Sequence, residues 1–214
     1  MKVFKRVEKD GLLFFTEEEP QDDILDGFRF TPIVELTETG EVALKELRKI
    51  IMIEIRHGNV LDVPTGIIVH GCNNVGVMGA GIAAEIKRRF PEAYNVYKEQ
   101  HESMIRYPGS KEYTGLVRGE ITYVEVAPSK FIVNAVTQGL GSKLRQVKYD
   151  AIVECFERVE LLAKTIETSH GEKLDIVFPM IGAGLGGGNW NIISTIIDET
   201  IGDDFNKILY KFQP

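Results

Sequence analysis

Apolar positions change their spacing at about residue 52, and from there the chain alternates between two rhythms. Met52 to Arg56 alternates as a strand does, and Gly66-Ile67-Ile68-Val69 is a continuous apolar run, the mark of a strand covered on both faces. Residues 80–90 take helical spacing, with Ile82, Ala83, Ile86 and Phe90 on one face and Glu85, Lys87, Arg88 and Arg89 on the other. Pro91 restarts a second helix to about Glu102, and Pro108-Gly109-Ser110 predicts a turn within a surface loop over 103–118. Ile121 to Val126 and Phe131 to Val136 predict two strands joined at Pro128-Ser129. From about Lys148 a long helix turns Ile152, Phe156, Val159, Ala163 and Ile166 inward. Leu174 to Met180 reads as a buried strand, Asn189 as the cap of a helix from Trp190 to about Ile201, and Ile208 to Phe212 as a last strand. This alternation predicts the α/β class, a central sheet with helices on both faces.

The first 51 residues follow another pattern. Val3 to Val7, Leu12 to Thr16 and Phe28 to Leu36 predict short strands, and Glu41 to Ile50 a helix, with Glu17-Glu18-Glu19, Asp22 and Asp23 as a solvated loop. The expected division is a small α+β extension of unknown role over 1–51 and the main domain over 52–214. A chain of 214 residues has room for one substantial domain and such an attachment.

Charge and composition narrow the function. A formal charge of −7 argues against a general nucleic-acid or anionic-membrane binder, because such surfaces need a surplus of Lys and Arg. It leaves room for a nucleotide pocket, since backbone N–H groups at helix N-termini hold phosphate without basic side chains. Cys72 and Cys155 are too few for a disulfide scaffold, and the histidines (His57, His70, His101 and His170) form no ligand cluster, so no metal and no cofactor are expected. With neither a secretory leader nor an apolar span in the sequence, the expectation is a soluble, cytoplasmic monomer.

The candidate chemistry lies in two glycine-rich loops, each following a buried strand and leading into a helix: His70-Gly71-Cys72-Asn73-Asn74 through Gly79-Ala80-Gly81-Ile82, and Ile181-Gly182-Ala183-Gly184-Leu185-Gly186 through Trp190. Such a turn lets backbone approach a phosphate closely, and the carboxyl ends of buried strands are where α/β sheets hold ligands. No G-x-x-x-x-G-K-[ST] occurs, which removes a P-loop NTPase of the usual form. Gly182 to Gly187 fits G-x-G-x-x-G, but too little chain follows for the further βαβ unit and ribose-binding acid of a dinucleotide fold.

Together these segments resemble the macrodomain, the ADP-ribose-binding family, over roughly residues 52–213. Asn73 stands where that family has its loop asparagine, Gly79-Ala80-Gly81 where it has its glycine run, and Gly58-Asn59-Val60 where it has Gly-Asp-Ile. The resemblance implies a three-layer α/β/α fold with a mixed central sheet. His70 to Asn73 and Asn134 to Gln138 are most similar to the branch holding ADP-ribose-1″-phosphate phosphatases (Appr-1-p processing) and an ADP-ribosyl-glutamate hydrolase. It further implies a ligand set of Asn59, Val60, Asn73, Asn74, Gly79, Ala80, Gly81, Ile82, Thr137, Gln138 and Ile181 to Gly186, taking in Gly182, Ala183, Gly184 and Leu185.

Departures from the family pattern sort the chemistries. The glutamate-ester branch uses a lysine and an aspartate where this chain has Gln138 and Gly186, so the lysine route is closed. Asn59 replaces an aspartate that meets the adenine amino group; its oxygen still accepts, without the charge. Cys72 reads as a core residue, and Tyr210 and Phe212 as core aromatics rather than an adenine platform. His70 and Asn73 are the candidate catalytic pair, positioning water against a terminal phosphate, with a packed histidine satisfied by backbone and an asparagine capping the loop as the alternative readings. The expected activity is therefore ADP-ribose-1″-phosphate phosphatase, with a non-catalytic ADP-ribose reader and a de-ADP-ribosylating hydrolase as rivals.

Overall fold

A computed structural model describes residues 3–9, 12–18, 53–105, 116–140 and 146–212. The chain divides into two units, Met1–Ile51 and Met52–Pro214. In the first, β1 (Val3–Lys9) and β2 (Leu12–Glu18) form an antiparallel hairpin that pairs Val3 with Glu18 and Lys9 with Leu12. Glu17 and Glu18 thus extend a strand rather than start the expected loop. The strand expected at Phe28 to Leu36, the helix at Glu41 to Ile50 and the turn at Pro108 to Ser110 lie outside the described residues.

The second unit carries β3 (Ile53–His57), β4 (Gly66–Asn73), α1 (Gly81–Arg89), α2 (Pro91–Ile105), β5 (Ile121–Ala127), β6 (Lys130–Gln138), α3 (Tyr149–His170), β7 (Ile176–Phe178), α4 (Trp190–Thr200) and β8 (Lys207–Lys211). Six strands make one sheet in the order β3-β8-β7-β4-β6-β5. Five run parallel, and β5 pairs antiparallel with β6 at one edge. Because the five are parallel, His57, Asn73, Gln138, Phe178 and Lys211 end along one edge of the sheet, and the loops that follow them share a single rim.

Side-chain alternation sends β4 and β6 into two cores. Ile67, Val69, Phe131, Val133 and Ala135 pack against Ile152, Phe156 and Val159 of α3 and Ile193 and Ile197 of α4. Ile68 and Ile132 face the other way, against Ile86, Ala93 and Leu61. Each buried Ile or Phe contributes about 1.5–3 kcal/mol over exposure, so α3 is held mainly by its apolar stripe. Asn189 caps α4, its side chain accepting from Asn191 N–H at 3.0 Å.

One boundary differs from expectation in a way that matters. The strand beginning at Gly66 runs on to Asn73, because pairing with β6 continues in register through His70↔Asn134 and Cys72↔Val136. His70 and Cys72 are therefore strand residues with side chains directed into the α1/α2 side of the sheet. The strand after Leu174 is shorter than expected, Ile176–Phe178.

Candidate functional site

Four segments meet at the carboxyl rim of the parallel strands: Gly58 to Asp62 after β3, the first glycine loop after β4, the segment after β6, and the second glycine loop after β7. A cavity of about 540 Å³ opens between the segment after β3, the start of α1 and the end of β8, with walls from Asn59, Val60, Gly81, Ile82, Tyr210 and Phe212, completed by Gly58, Leu61, Glu85 and Pro179. Of the expected ligand set the cavity thus gathers Asn59, Val60, Gly81 and Ile82; residues 182–186 lie outside its walls. Phe212 is 69% exposed, which overturns its assignment as a core aromatic, and Tyr210 lines the same cavity. Tyr210 lies on the last strand as expected, whereas Phe212 falls just past its end at Lys211, and which end of that strand would face a cavity depended on the sheet order.

The first loop is shaped by its own asparagine. Asn73 Nδ2 donates to Val77 O at 2.6 Å, and Asn73 Oδ1 accepts from Val75 N–H at 3.0 Å and Val77 N–H at 3.4 Å. The buried Tyr97 hydroxyl donates to the Asn73 carbonyl at 2.5 Å and lies 3.0 Å from Oδ1. Leu116 N–H reaches the Asn74 carbonyl at 2.9 Å. Asn73 is only 8% exposed, so its side chain acts on the loop's shape. The loop delivers the chain to α1, whose N-cap is Ala80. Alanine has no side-chain acceptor, and no side chain among the described residues caps the first-turn N–H groups of α1, which leaves that turn suited to an anion. Helix α4, behind the second loop, is capped by Asn189, so the two loops are not equivalent.

In the second loop, turns use the N–H groups of Ala183, Gly187 and Gly188, leaving those of Gly184, Leu185 and Gly186 outside this set. The Gly186 carbonyl accepts from Gln146 N–H at 2.9 Å and Val147 N–H at 3.1 Å, which ties the loop to the segment after β6. A Cβ at Gly186 would lie 2.6 Å from Gly182 O and 2.7 Å from Gln138 Oε1. The two departures from the family pattern are thus neighbours, with the Gln138 carboxamide lying over the place an acid side chain at 186 would need. Thr137 is fully buried nearby, and its hydroxyl has no hydrogen-bond partner among the described residues.

His70 does not reach this rim. It is fully buried, with Nε2 2.7 Å from Asn134 Oδ1. Asn134 Nδ2 donates to Ala93 O at 2.9 Å and to Thr122 Oγ1 at 2.8 Å, so its oxygen must accept and Nε2 of His70 must carry the proton. Burial brings the imidazole pKa down to about 4, keeping it neutral near pH 7. Sγ of Cys72 lies 3.7 Å from His70 Nε2, and burial pushes its thiol pKa well up. A protonated thiol beside a neutral imidazole is no thiolate nucleophile, as the sequence led us to expect. The placement of His70 answers to a different need: two polar residues paired across β4 and β6 satisfy each other.

Among the described residues no group of three or more His, Cys, Asp or Glu side chains could hold a metal, and no helix is long and apolar enough to cross a membrane.

Comparison with known proteins places this architecture in a family. The Macro domain model matches residues 69–197, and the chain belongs to the macrodomain family. Over 57 residues it is 40% identical to an ADP-ribose 1″-phosphate phosphatase of Aspergillus oryzae, covering 26% of this chain and 27% of that protein. Over 46 residues it is 44% identical to a DNA ADP-ribosyl glycohydrolase of Thermus aquaticus, covering 22% of this chain and 13% of that protein. Each match thus spans well under two thirds of the relative. Among solved structures, the macrodomain of Thermus aquaticus DarG aligns with a TM-score of 0.58 at 23% identity, over 76% of this chain and 99% of that one, a likeness of fold.

Proposed function

We propose that this macrodomain binds ADP-ribose and its 1″-phosphate and removes the terminal phosphate. The observation that carries the reading is the continuity of one rim: an aromatic-walled cavity at Tyr210 and Phe212 leads to the uncapped N-terminus of α1. The base lies in the cavity and stacks on Phe212. The diphosphate meets the first-turn N–H groups of α1, and the distal ribose and its phosphate extend toward Gly184, Leu185 and Gly186. Water attacks phosphorus, the bond from phosphorus to the ribose 1″ oxygen breaks, and ADP-ribose and inorganic phosphate leave.

The catalytic pair expected from the sequence changes its role in this proposal. His70 and Asn73 hold the first loop in place and are positioning residues, while the Gln138 carboxamide beside Gly186 orients the attacking water. The short stretch shared with a protein named as the phosphatase supports this choice of reaction.

A second reading, a non-catalytic ADP-ribose-binding module, is favoured by the neutral His70 and by a carboxamide and a glycine where the related hydrolases have a lysine and an acid. Phosphate release from ADP-ribose-1″-phosphate, measured beside calorimetry with ADP-ribose, separates the two. Turnover that falls at least tenfold in Gln138→Ala supports the phosphatase. Tight binding without turnover makes the protein a reader, and absence of binding to either compound refutes both.

A further inference from the structure

The cavity holds its few polar groups in a fixed sense. Leu61 N–H needs an acceptor and takes Asn59 Oδ1 at 3.0 Å, so the amide nitrogen is the end of the Asn59 side chain left for a ligand. This differs from the sequence-based expectation that its oxygen would meet the base. Both Glu85 carboxylate oxygens are engaged by Arg88, at 2.6 and 3.1 Å. The Tyr210 side chain lines the same cavity, and its hydroxyl can donate to a ligand. The remaining walls, Ile82 and Phe212 among them, are apolar. Among the described walls, Asn59 therefore turns a donor toward a flat ligand and holds its acceptor in an internal bond.

A 6-oxopurine matches such a wall. Its O6 and N7 are adjacent acceptors, whereas adenine carries a donor amino group beside N7. A donor facing a donor leaves both without a partner in a partly dry site, a loss larger than the gain from a good pair. We propose that the cavity selects a 6-oxopurine, of the hypoxanthine or guanine type, over adenine, and that Asn59 is the residue that sets this choice. The inference rests on reading the cavity as the base subsite of a nucleoside diphosphate ribose.

The test compares two probes differing at one position of the base, ADP-ribose and its hypoxanthine counterpart, by calorimetry with the full chain. Wild type binds the hypoxanthine compound roughly tenfold more tightly. Asn59→Asp keeps the bond from Leu61 N–H, since aspartate caps at least as well, and exposes an acceptor in place of the amide nitrogen. The preference then inverts to favour ADP-ribose, with an unchanged melting temperature confirming the fold. A wild-type preference for ADP-ribose, or a ratio that Asn59→Asp leaves unmoved, overturns the selectivity and leaves ADP-ribose binding standing. Failure of folded wild type to bind either probe removes the base subsite itself, and the proposed function with it.

Discussion

Acidification from about pH 7.5 to about pH 5 tests the place of His70 in the core. Its ordinary pKa is 6.5, and in the folded protein burial brings it to about 4. Between these values the unfolded chain binds a proton that the folded chain refuses, so stability falls as pH drops through 6.5 and levels off below about 4. Integrating the proton difference gives a loss of about 2 kcal/mol at pH 5 and about 3 kcal/mol at pH 4, with almost none above pH 7.5. Carboxylates also titrate in acid, so the informative quantity is a difference between two proteins. His70→Gln retains an N–H donor for Asn134 Oδ1 but cannot take up a proton, and it removes the histidine component alone. Urea unfolding of both proteins at the two pH values should show wild type losing about 2 kcal/mol more than the variant. Equal losses would refute a buried, neutral imidazole. The same variant checks function at pH 7.5. A positioning role leaves phosphate release within a few fold of wild type, and its abolition in a folded variant would return His70 to the reacting atoms.

Two further substitutions probe the rim. Gly186→Asp, which restores the acid of the related hydrolases, places its Cβ 2.6 Å from the Gly182 carbonyl. That contact is with backbone and cannot be relieved by a rotamer, so a stability loss of about 1–3 kcal/mol and weaker ADP-ribose binding are expected by thermal melting and calorimetry. An unshifted melt with full binding would contradict the close approach. Phe212→Ala removes an exposed ring and should leave stability within about 0.5 kcal/mol. Affinity for ADP-ribose should nevertheless fall by about 1–3 kcal/mol of stacking, and unaltered affinity would exclude Phe212 as the base platform.

Much of the second unit was legible because its signals are local. Ile67 to Val69, the stripe of α3 and the Asn189 cap each carry their structure in a few consecutive residues, and a strand buried on both faces or a one-sided helix leaves a periodicity that neighbours do not erase. The two glycine loops, and Gln138 and Gly186 as departures, were readable in the same way. The roles of polar side chains were not, because a hydrogen bond depends on what stands opposite. His70 has the same neighbours in sequence whether it faces water or Asn134, and only pairing of β4 with β6 decides that it is buried and neutral. Asn59 could have offered its oxygen to a ligand until Leu61 N–H claimed it, and Phe212 could have been core until the strand order brought its end to the cavity. The sequence by itself determined which segments are strands, helices and glycine turns. The tertiary structure decided which atoms of those segments remain available to bind, because a side chain such as His70 is claimed by a partner 64 residues away, and even a local bond such as that of Asn59 forms only once the backbone has turned.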